Sequence, residues 1–213
     1  MEPSSQQEPP ENKPGAGKKT AGGIGAAAAA LAALAAKFAA IAKIFAASWT
    51  FILTLTLYAA AFGWRFGLLL VLLILAHELG HYAAFRAYGL PVRLPVFVPF
   101  LGAFTAGAVP EDPEHAAYIA LAGPLVGLGL SAACYAIGTS HERFWLAAAA
   151  TGAFLNLFNM IPVPPFDGGR VVASARAMQS GRYAVYAWYV AVAAGLAILT
   201  WQSYATLGIG RLP

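Results

Sequence analysis

Long apolar segments are the feature that most constrains how this chain can fold. Hydrophobic residues make up 60% of its 213 residues and charged residues only 10%, whereas soluble domains usually carry about 25% charged residues. A helix needs roughly 20 apolar residues to cross a bilayer, and several segments reach or approach that length. We therefore predict an all-α integral membrane protein with about five transmembrane helices. The predicted spans are residues 48–63, 66–87, 115–137, 144–161 and 183–207.

The N-terminal region differs in composition from these spans. Residues 1–23 are rich in Pro, Gly, Ser, Gln and charge, and such a segment buries too little apolar surface to fold, so we expect a disordered tail. Residues 24–47 are rich in alanine, which favours helix but is weakly hydrophobic, so an interfacial helix is favoured over a further span. Residues 48–209 are the predicted transmembrane core.

The positions of Lys and Arg predict how the spans are oriented, because these residues are enriched in cytoplasmic loops. With five spans and a cytoplasmic N-terminus, ten of the 13 basic residues lie on the cytoplasmic side, and Arg65, Arg143 and Arg211 lie outside. Counting residues 24–47 as a sixth span would move only the N-terminal tail outside. Basic residues at membrane edges also explain the net charge of +4. The sequence contains no basic cluster interleaved with aromatic residues, so we expect no nucleic-acid partner.

Residues 89–114 contain five prolines and cannot form one continuous helix. Residues 92–109 are nevertheless mostly apolar, with Gly102 and Gly107 available for turns or bulges. We expect a membrane-embedded re-entrant β-hairpin or loop. Lipid tolerates such a backbone only where its polar groups pair with one another or line a cavity.

Residues 77–81, His-Glu-Leu-Gly-His, lie inside the second apolar segment. His77 and His81 are four residues apart and share one helix face, so both imidazoles can bind one metal ion. Glu78 lies beside the first histidine, where a carboxylate can accept a proton from water. This is the HExxH arrangement typical of zinc hydrolases. A carboxylate placed at bilayer depth only for packing would cost about 2.5–3.5 kcal/mol or more.

A catalytic zinc needs a third protein ligand, and Asp167 is the strongest candidate. The other acidic residues, with His115 and His141, lie in loops or at span ends. Asp167 follows an apolar span and a proline-rich break, and the two glycines after it allow close approach to another helix. The alternative is that Asp167 caps the next helix, which we predict to extend to about Gln179.

Two motifs make the chain similar to the site-2 proteases, a family of intramembrane zinc metalloproteases. One is the HExxH of residues 77–81, and the other is Asn-Met-Ile-Pro-Val-Pro-Pro-Phe-Asp-Gly at residues 159–168, which matches the family's NxxPxPxxDG. Ala-Gly-Pro at residues 122–124 is a weaker match. The resemblance covers about residues 66–180. No segment is long and polar enough to be the PDZ or CBS domain that many relatives carry, so we expect a compact form of the family.

The resemblance implies one Zn²⁺ per chain, bound by His77, His81 and Asp167. It implies two catalytic residues: Glu78, which moves protons, and Asn159, which holds the substrate or the developing oxyanion. The alternative for Asn159 is a hydrogen bond between helices. It implies a substrate that is the transmembrane segment of another protein, cleaved in regulated intramembrane proteolysis from the cytoplasmic side. Residues 102–106 then offer either a strand edge that pairs with the substrate or a plug that only shields the site.

Two other functions compete with this reading. A CAAX-type endopeptidase needs a glutamate on a later helix as third ligand, and the later acidic candidates of this chain lie in loops. A non-catalytic membrane scaffold or transporter would hold a closed, structural zinc site. The sequence offers no obvious fourth ligand and retains Glu78, so the protease is favoured.

Overall fold

The computed structural model describes residues 49–100, 102–140 and 142–208, together with four helical positions of the alanine-rich tract, 29, 32, 33 and 37. Two compact units divide the chain, residues 1–45 and 46–213, and the fold below is that of the second. The predictions for residues 1–23, and for all but those four positions of residues 24–47, lie outside the described residues.

Six helices account for most of this described part of the second unit. Their bounds are α1 Trp49–Phe62, α2 Trp64–Ala87, α3 Pro113–Ser140, α4 Arg143–Asn159, α5 Asp167–Ala177 and α6 Arg182–Leu207. Three of them, α2, α3 and α6, have 24, 28 and 26 residues and are long and apolar enough to cross a membrane. The mostly helical class is therefore confirmed. The helices α1 and α4 lie at the first and fourth predicted spans but are shorter.

Two predicted helix ends were wrong, each for a local reason. The loop predicted at residues 138–143 begins later, because α3 continues to Ser140. Gly138 is buried against Leu146, and Thr139 Oγ1 donates a hydrogen bond to the carbonyl of Ala136 at 2.9 Å, so packing and a side-chain bond hold this polar turn in the helix. The helix α5 ends at Ala177 rather than at Gln179, because Met178 adopts extended backbone angles.

A short β-hairpin connects α2 to α3. Strand β1, Val96–Val98, pairs antiparallel with β2, Gly102–Phe104, in the register Val96 with Phe104 and Val98 with Gly102. Two further backbone bonds, Arg93 to Ala106 at 2.8 Å and Ala108 to Pro91 at 2.9 Å, continue the pairing below the strands. Pro91, Pro95 and Pro99 are thus accommodated in a self-paired ribbon, and Pro113 is the first residue of α3.

Helix α3 lies at the centre of the bundle and contacts α2, α4, α5 and α6. Its residues Ala117 and Leu121 are buried with Ala153 of α4, Val171 of α5 and Leu196 of α6 in one apolar cluster. Small residues at helix contacts allow backbones to approach closely, which is how helices associate where lipid removes the hydrophobic drive. This close packing brings polar side chains of α2, α4 and α5 and a backbone carbonyl of α3 to one point.

Candidate metal centre

Three side chains converge at the middle of the bundle. His77 Nε2 and His81 Nε2 lie 3.0 Å apart, and Asp167 Oδ2 lies 3.2 Å from each of them. All three residues are buried, with 6–7% of their surface exposed. Asp167, the third ligand expected from the proline-rich motif, is thus brought from α5 to the HExxH face of α2.

Hydrogen bonds to the far side of each ring indicate which nitrogen carries the proton. His77 Nδ1 lies 2.6 Å from Oδ1 of Asn156, and the amide nitrogen of Asn156 donates to the carbonyl of Gly152 at 2.7 Å. That second bond fixes the amide with its oxygen toward the histidine, because a carbonyl accepts only. His77 Nδ1 is therefore the donor, and Nε2 presents a free lone pair.

His81 is oriented by backbone rather than by a side chain. Its Nδ1 donates to the carbonyl oxygen of Ile119 at 2.8 Å, which leaves Nε2 as the lone-pair nitrogen. The contact requires α2 and α3 to lie very close: a Cβ on Gly80 would be 2.6 Å from the carbonyl oxygen of Ala122, and one on Gly123 would be 2.3 Å from His81 Nε2. The Ala-Gly-Pro element of α3 therefore makes room for a ligand.

The donor set fits a zinc ion. Two nitrogen lone pairs and a carboxylate oxygen within 3.2 Å of one another repel unless a cation lies between them. Zinc bound tetrahedrally at about 2.0–2.1 Å from such atoms would hold them roughly 3.3 Å apart, close to the separations observed. Within the described residues the cluster has three members, the number that a catalytic zinc takes from the protein.

The turn between α4 and α5 delivers Asp167. A Cβ on Gly168 would lie 2.1 Å from the carbonyl oxygen of Met160, and one on Gly169 would lie 2.4 Å from the carbonyl carbon of Val163, so both positions require glycine. The capping alternative for Asp167 was wrong. Phe166 occupies the N-cap position, and Asp167 is the first helical residue.

The metal cluster opens into a cavity of about 390 Å³. Glu78, which is buried, lines this cavity beside its neighbouring ligands. Asn159 is half-buried and lines the same cavity, together with Leu155 and Phe158 of α4. Part of the remaining wall is formed by residues 102–105 of the hairpin.

Sequence reasoning missed Asn156 and the carbonyl of Ile119. Asn156 lies three residues before Asn159, so the two share one face of α4. A buried amide in an apolar helix is itself a signal of a polar partner, and that signal could have found Asn156. Every residue has a backbone carbonyl, so the sequence carries no signal for the role of Ile119.

Other titratable candidates lie away from the centre. His115 is half-buried, its Nε2 lies 3.6 Å from Asp112 Oδ2, and its ring stacks on that of Tyr88 with centroids 4.1 Å apart. His141 lies outside the described residues. Among the described residues, His115 therefore does not belong to the cluster of His77, His81 and Asp167.

Comparisons with known proteins agree with the site. The family model described as Peptidase family M50 matches residues 65–142 and 137–200. Rip3 of Mycobacterium tuberculosis is 33% identical over 130 residues, which are 54% of this chain and 33% of that protein. A protein of Synechocystis sp. is 34% identical over 121 residues, 52% and 32% of the two chains. One of Methanocaldococcus jannaschii is 29% identical over 122 residues, 54% and 34%.

All three relatives are named as zinc metalloproteases, and this chain spans about a third of the length of each. The first matched region contains His77 and His81, and the second contains Asp167. Since the two regions together cover more than half of the sequence and carry all three converging side chains, the chain belongs to peptidase family M50.

Proposed function

We propose that this protein is a zinc metalloendopeptidase that hydrolyses a peptide bond within or near the transmembrane segment of another membrane protein. The observation that carries the proposal is the convergence of His77, His81 and Asp167 on one point, with Glu78 beside them in an open cavity. Family membership and the names of the relatives support a protease rather than a scaffold or transporter.

The proposed membrane arrangement has five spans, in which α1 and α4 join α2, α3 and α6. The hairpin re-enters the bilayer, which suits its exposed apolar side chains Leu94, Phe100 and Phe104. Its backbone is largely self-paired, as lipid requires. The bias of Lys and Arg favours a cytoplasmic N-terminus and an active site that takes up water from the cytoplasmic side.

One Zn²⁺ per chain would be held by His77, His81 and Asp167. When bound, zinc supplies Lewis-acid chemistry, which makes water more acidic and polarises a carbonyl group. Asp167 adds a negative charge that balances part of the charge of the ion. The two histidines bind as neutral ligands, because each donates its only N–H away from the centre.

Glu78 is the proposed general base and acid. Its carboxylate follows the first ligand directly and lines the cavity, where it accepts a proton from the attacking water and passes it to the leaving amine. Its main chain is held in place, because Thr105 of the hairpin donates a hydrogen bond to its carbonyl at 3.1 Å. Asn159 is the proposed donor to the substrate carbonyl oxygen as negative charge develops there.

The proposed substrate is a locally extended peptide. A transmembrane helix hides its carbonyls in hydrogen bonds, so the segment must unwind before Glu78 and water can reach the bond. Residues 102–105 lie on the cavity wall as part of a two-stranded ribbon whose strands each have one unpaired edge within the described chain. Pairing with that edge would hold an extended segment across the cavity, and the alternative is that the hairpin only shields it.

Zinc content is the first test. Zinc per chain would be measured for the purified wild type, His77→Ala and Asp167→Ala in detergent. We expect about one zinc in the wild type and strong loss in both variants. Retention by Asp167→Ala would place the third ligand elsewhere and contradict the site.

A second experiment would incubate the protein with a panel of synthetic transmembrane peptides and follow cleavage by mass spectrometry. It would distinguish a protease from a non-catalytic scaffold. Activity that requires the bound zinc supports the protease. A fully loaded protein that cleaves none of the panel would favour a structural zinc site.

A further inference from the structure

Asn156 of α4 contacts a metal-binding histidine but has no part in the proposed hydrolysis. We propose that Asn156 is a positioning residue that fixes the tautomer and ring orientation of His77, and that it thereby sets the metal affinity of the centre. The inference rests on the proposed metal site and adds a residue that acts on that site through His77.

The amide of Asn156 is held in one orientation by two hydrogen bonds. Its nitrogen donates to the carbonyl of Gly152 at 2.7 Å, and its oxygen lies 2.6 Å from His77 Nδ1. Both bonds are buried, and Asn156 is only 4% exposed, so water does not compete for His77 Nδ1. A neutral imidazole carries one N–H. Holding that proton on Nδ1 leaves Nε2 free for the metal.

Helix α3 locks this amide from the other side. A Cβ on Gly127 would lie 2.0 Å from Asn156 Oδ1 and 2.2 Å from its Nδ2. The carboxamide therefore packs directly on the backbone of α3 and has no room to adopt another rotamer. Gly127 is needed to seat Asn156, in the way that Gly123 is needed to seat His81.

The two histidines differ in how their orientation is encoded. His81 donates to the backbone carbonyl of Ile119, which no single substitution at that position removes. His77 donates to a side chain, so its orientation depends on the identity of residue 156. Partners that orient metal-binding histidines typically change metal affinity about 10–100-fold when they are removed.

Metal affinity measured with the metal alone tests the inference. The full chain in detergent would be titrated with Zn²⁺ against a competing chelator, and with Co²⁺ to record its visible absorption. Asn156→Leu keeps the branched shape but removes the acceptor. We expect a 10–100-fold weaker affinity and an altered Co²⁺ spectrum. Asn156→Asp keeps an acceptor toward His77 and should bind zinc more tightly than Asn156→Leu.

A second pair of variants leaves Asn156 itself in place. Gly127→Ala pushes the carboxamide and should weaken zinc binding, whereas Gly129→Ala, on the same helix with nothing within 4 Å of its added Cβ, should not. Wild-type affinity in both Asn156→Leu and Gly127→Ala would overturn the inference. So would equal losses in Asn156→Leu and Asn156→Asp with no loss in Gly127→Ala. A wild-type protein that binds neither metal would instead contradict the proposed function.

Discussion

The cavity has two walls that are built in different ways. The metal wall, formed by α2, α3, α4 and α5, holds each histidine by a buried hydrogen bond on the side away from the centre. The hairpin wall, residues 102–105, is held to α2 by the bond from Thr105 to the carbonyl of Glu78. The neighbouring strand packs on both α1 and α2, because Phe97 is buried with Tyr58 and Val71.

Exposure follows the same division. The residues at the metal centre, His77, Glu78, His81, Asn156 and Asp167, are 4–7% exposed. In the hairpin Phe97 is buried, but Phe100 and Phe104 are 66% and 52% exposed. A segment that makes few buried contacts can move locally at low free-energy cost. From this comparison we infer that the metal wall has a fixed geometry and that the hairpin wall moves more readily. Substitutions at the metal ligands, or at residues that orient them, should therefore change metal binding. Substitutions in the hairpin should change only how substrate is used.

The largest effect is expected for Glu78→Gln, which tests whether a residue of the metal wall can be required for cleavage without being required for zinc binding. Glutamine keeps the shape of the side chain but cannot accept the proton from water. We expect cleavage to fall at least about 100-fold, the lower end of what a general base contributes, while zinc content stays at the wild-type level. The measurement is kcat with a cleaved transmembrane peptide and zinc content on the same sample. Wild-type turnover in this variant would remove Glu78 from the mechanism.

The next effect is expected for Gly123→Ala, which tests how rigid the metal wall is. The added methyl would meet His81 Nε2 at 2.3 Å, so either the ring or helix α3 must shift. Overpacking of this kind usually costs about 1–3 kcal/mol, and here we expect it to appear as weaker zinc affinity. Chelator competition measures it, with Gly129→Ala as the matched control. Unchanged affinity in Gly123→Ala would mean that the metal wall yields as readily as the hairpin.

The sequence predicted the metal wall better than it predicted the contacts that orient it. His77 and His81 could be placed because helical spacing fixes which residues share a face. Asp167 could be proposed because prolines and glycines mark a turn that approaches another helix. Asn156 could have been singled out as a buried amide, but its pairing with His77, and that of Ile119 with His81, could not be assigned, because both depend on which helix faces meet. Close contacts at glycines, such as Gly80 against Ala122, determine which helix faces meet.

A smaller, more selective effect is expected for proline in strand β2. Successive N–H groups of a strand point to opposite edges, so Ala103→Pro and Phe104→Pro remove one donor from each edge in turn. If a substrate pairs with the free edge, we expect about tenfold lower kcat/KM in the variant that loses the outward donor, with zinc content unchanged. The same kcat/KM in both variants and in the wild type would favour the shielding alternative.

The smallest effect is expected for Thr105→Val, which removes the hairpin's hydrogen bond to Glu78 while keeping the side-chain shape. Such a bond contributes about 0.5–1.5 kcal/mol, so we expect KM to change by only a few-fold and zinc affinity not to change. Tyr189→Phe is the counterpart for the metal wall, because Tyr189 of α6 donates at 2.5 Å to the carbonyl of Met160 in the turn that delivers Asp167. It should lower zinc affinity by a similar factor, since loosening that turn lets Asp167 move from the two histidines. If Thr105→Val weakened zinc binding as much as Tyr189→Phe does, the hairpin would be part of the metal wall, and the distinction between a fixed and a movable wall would be lost.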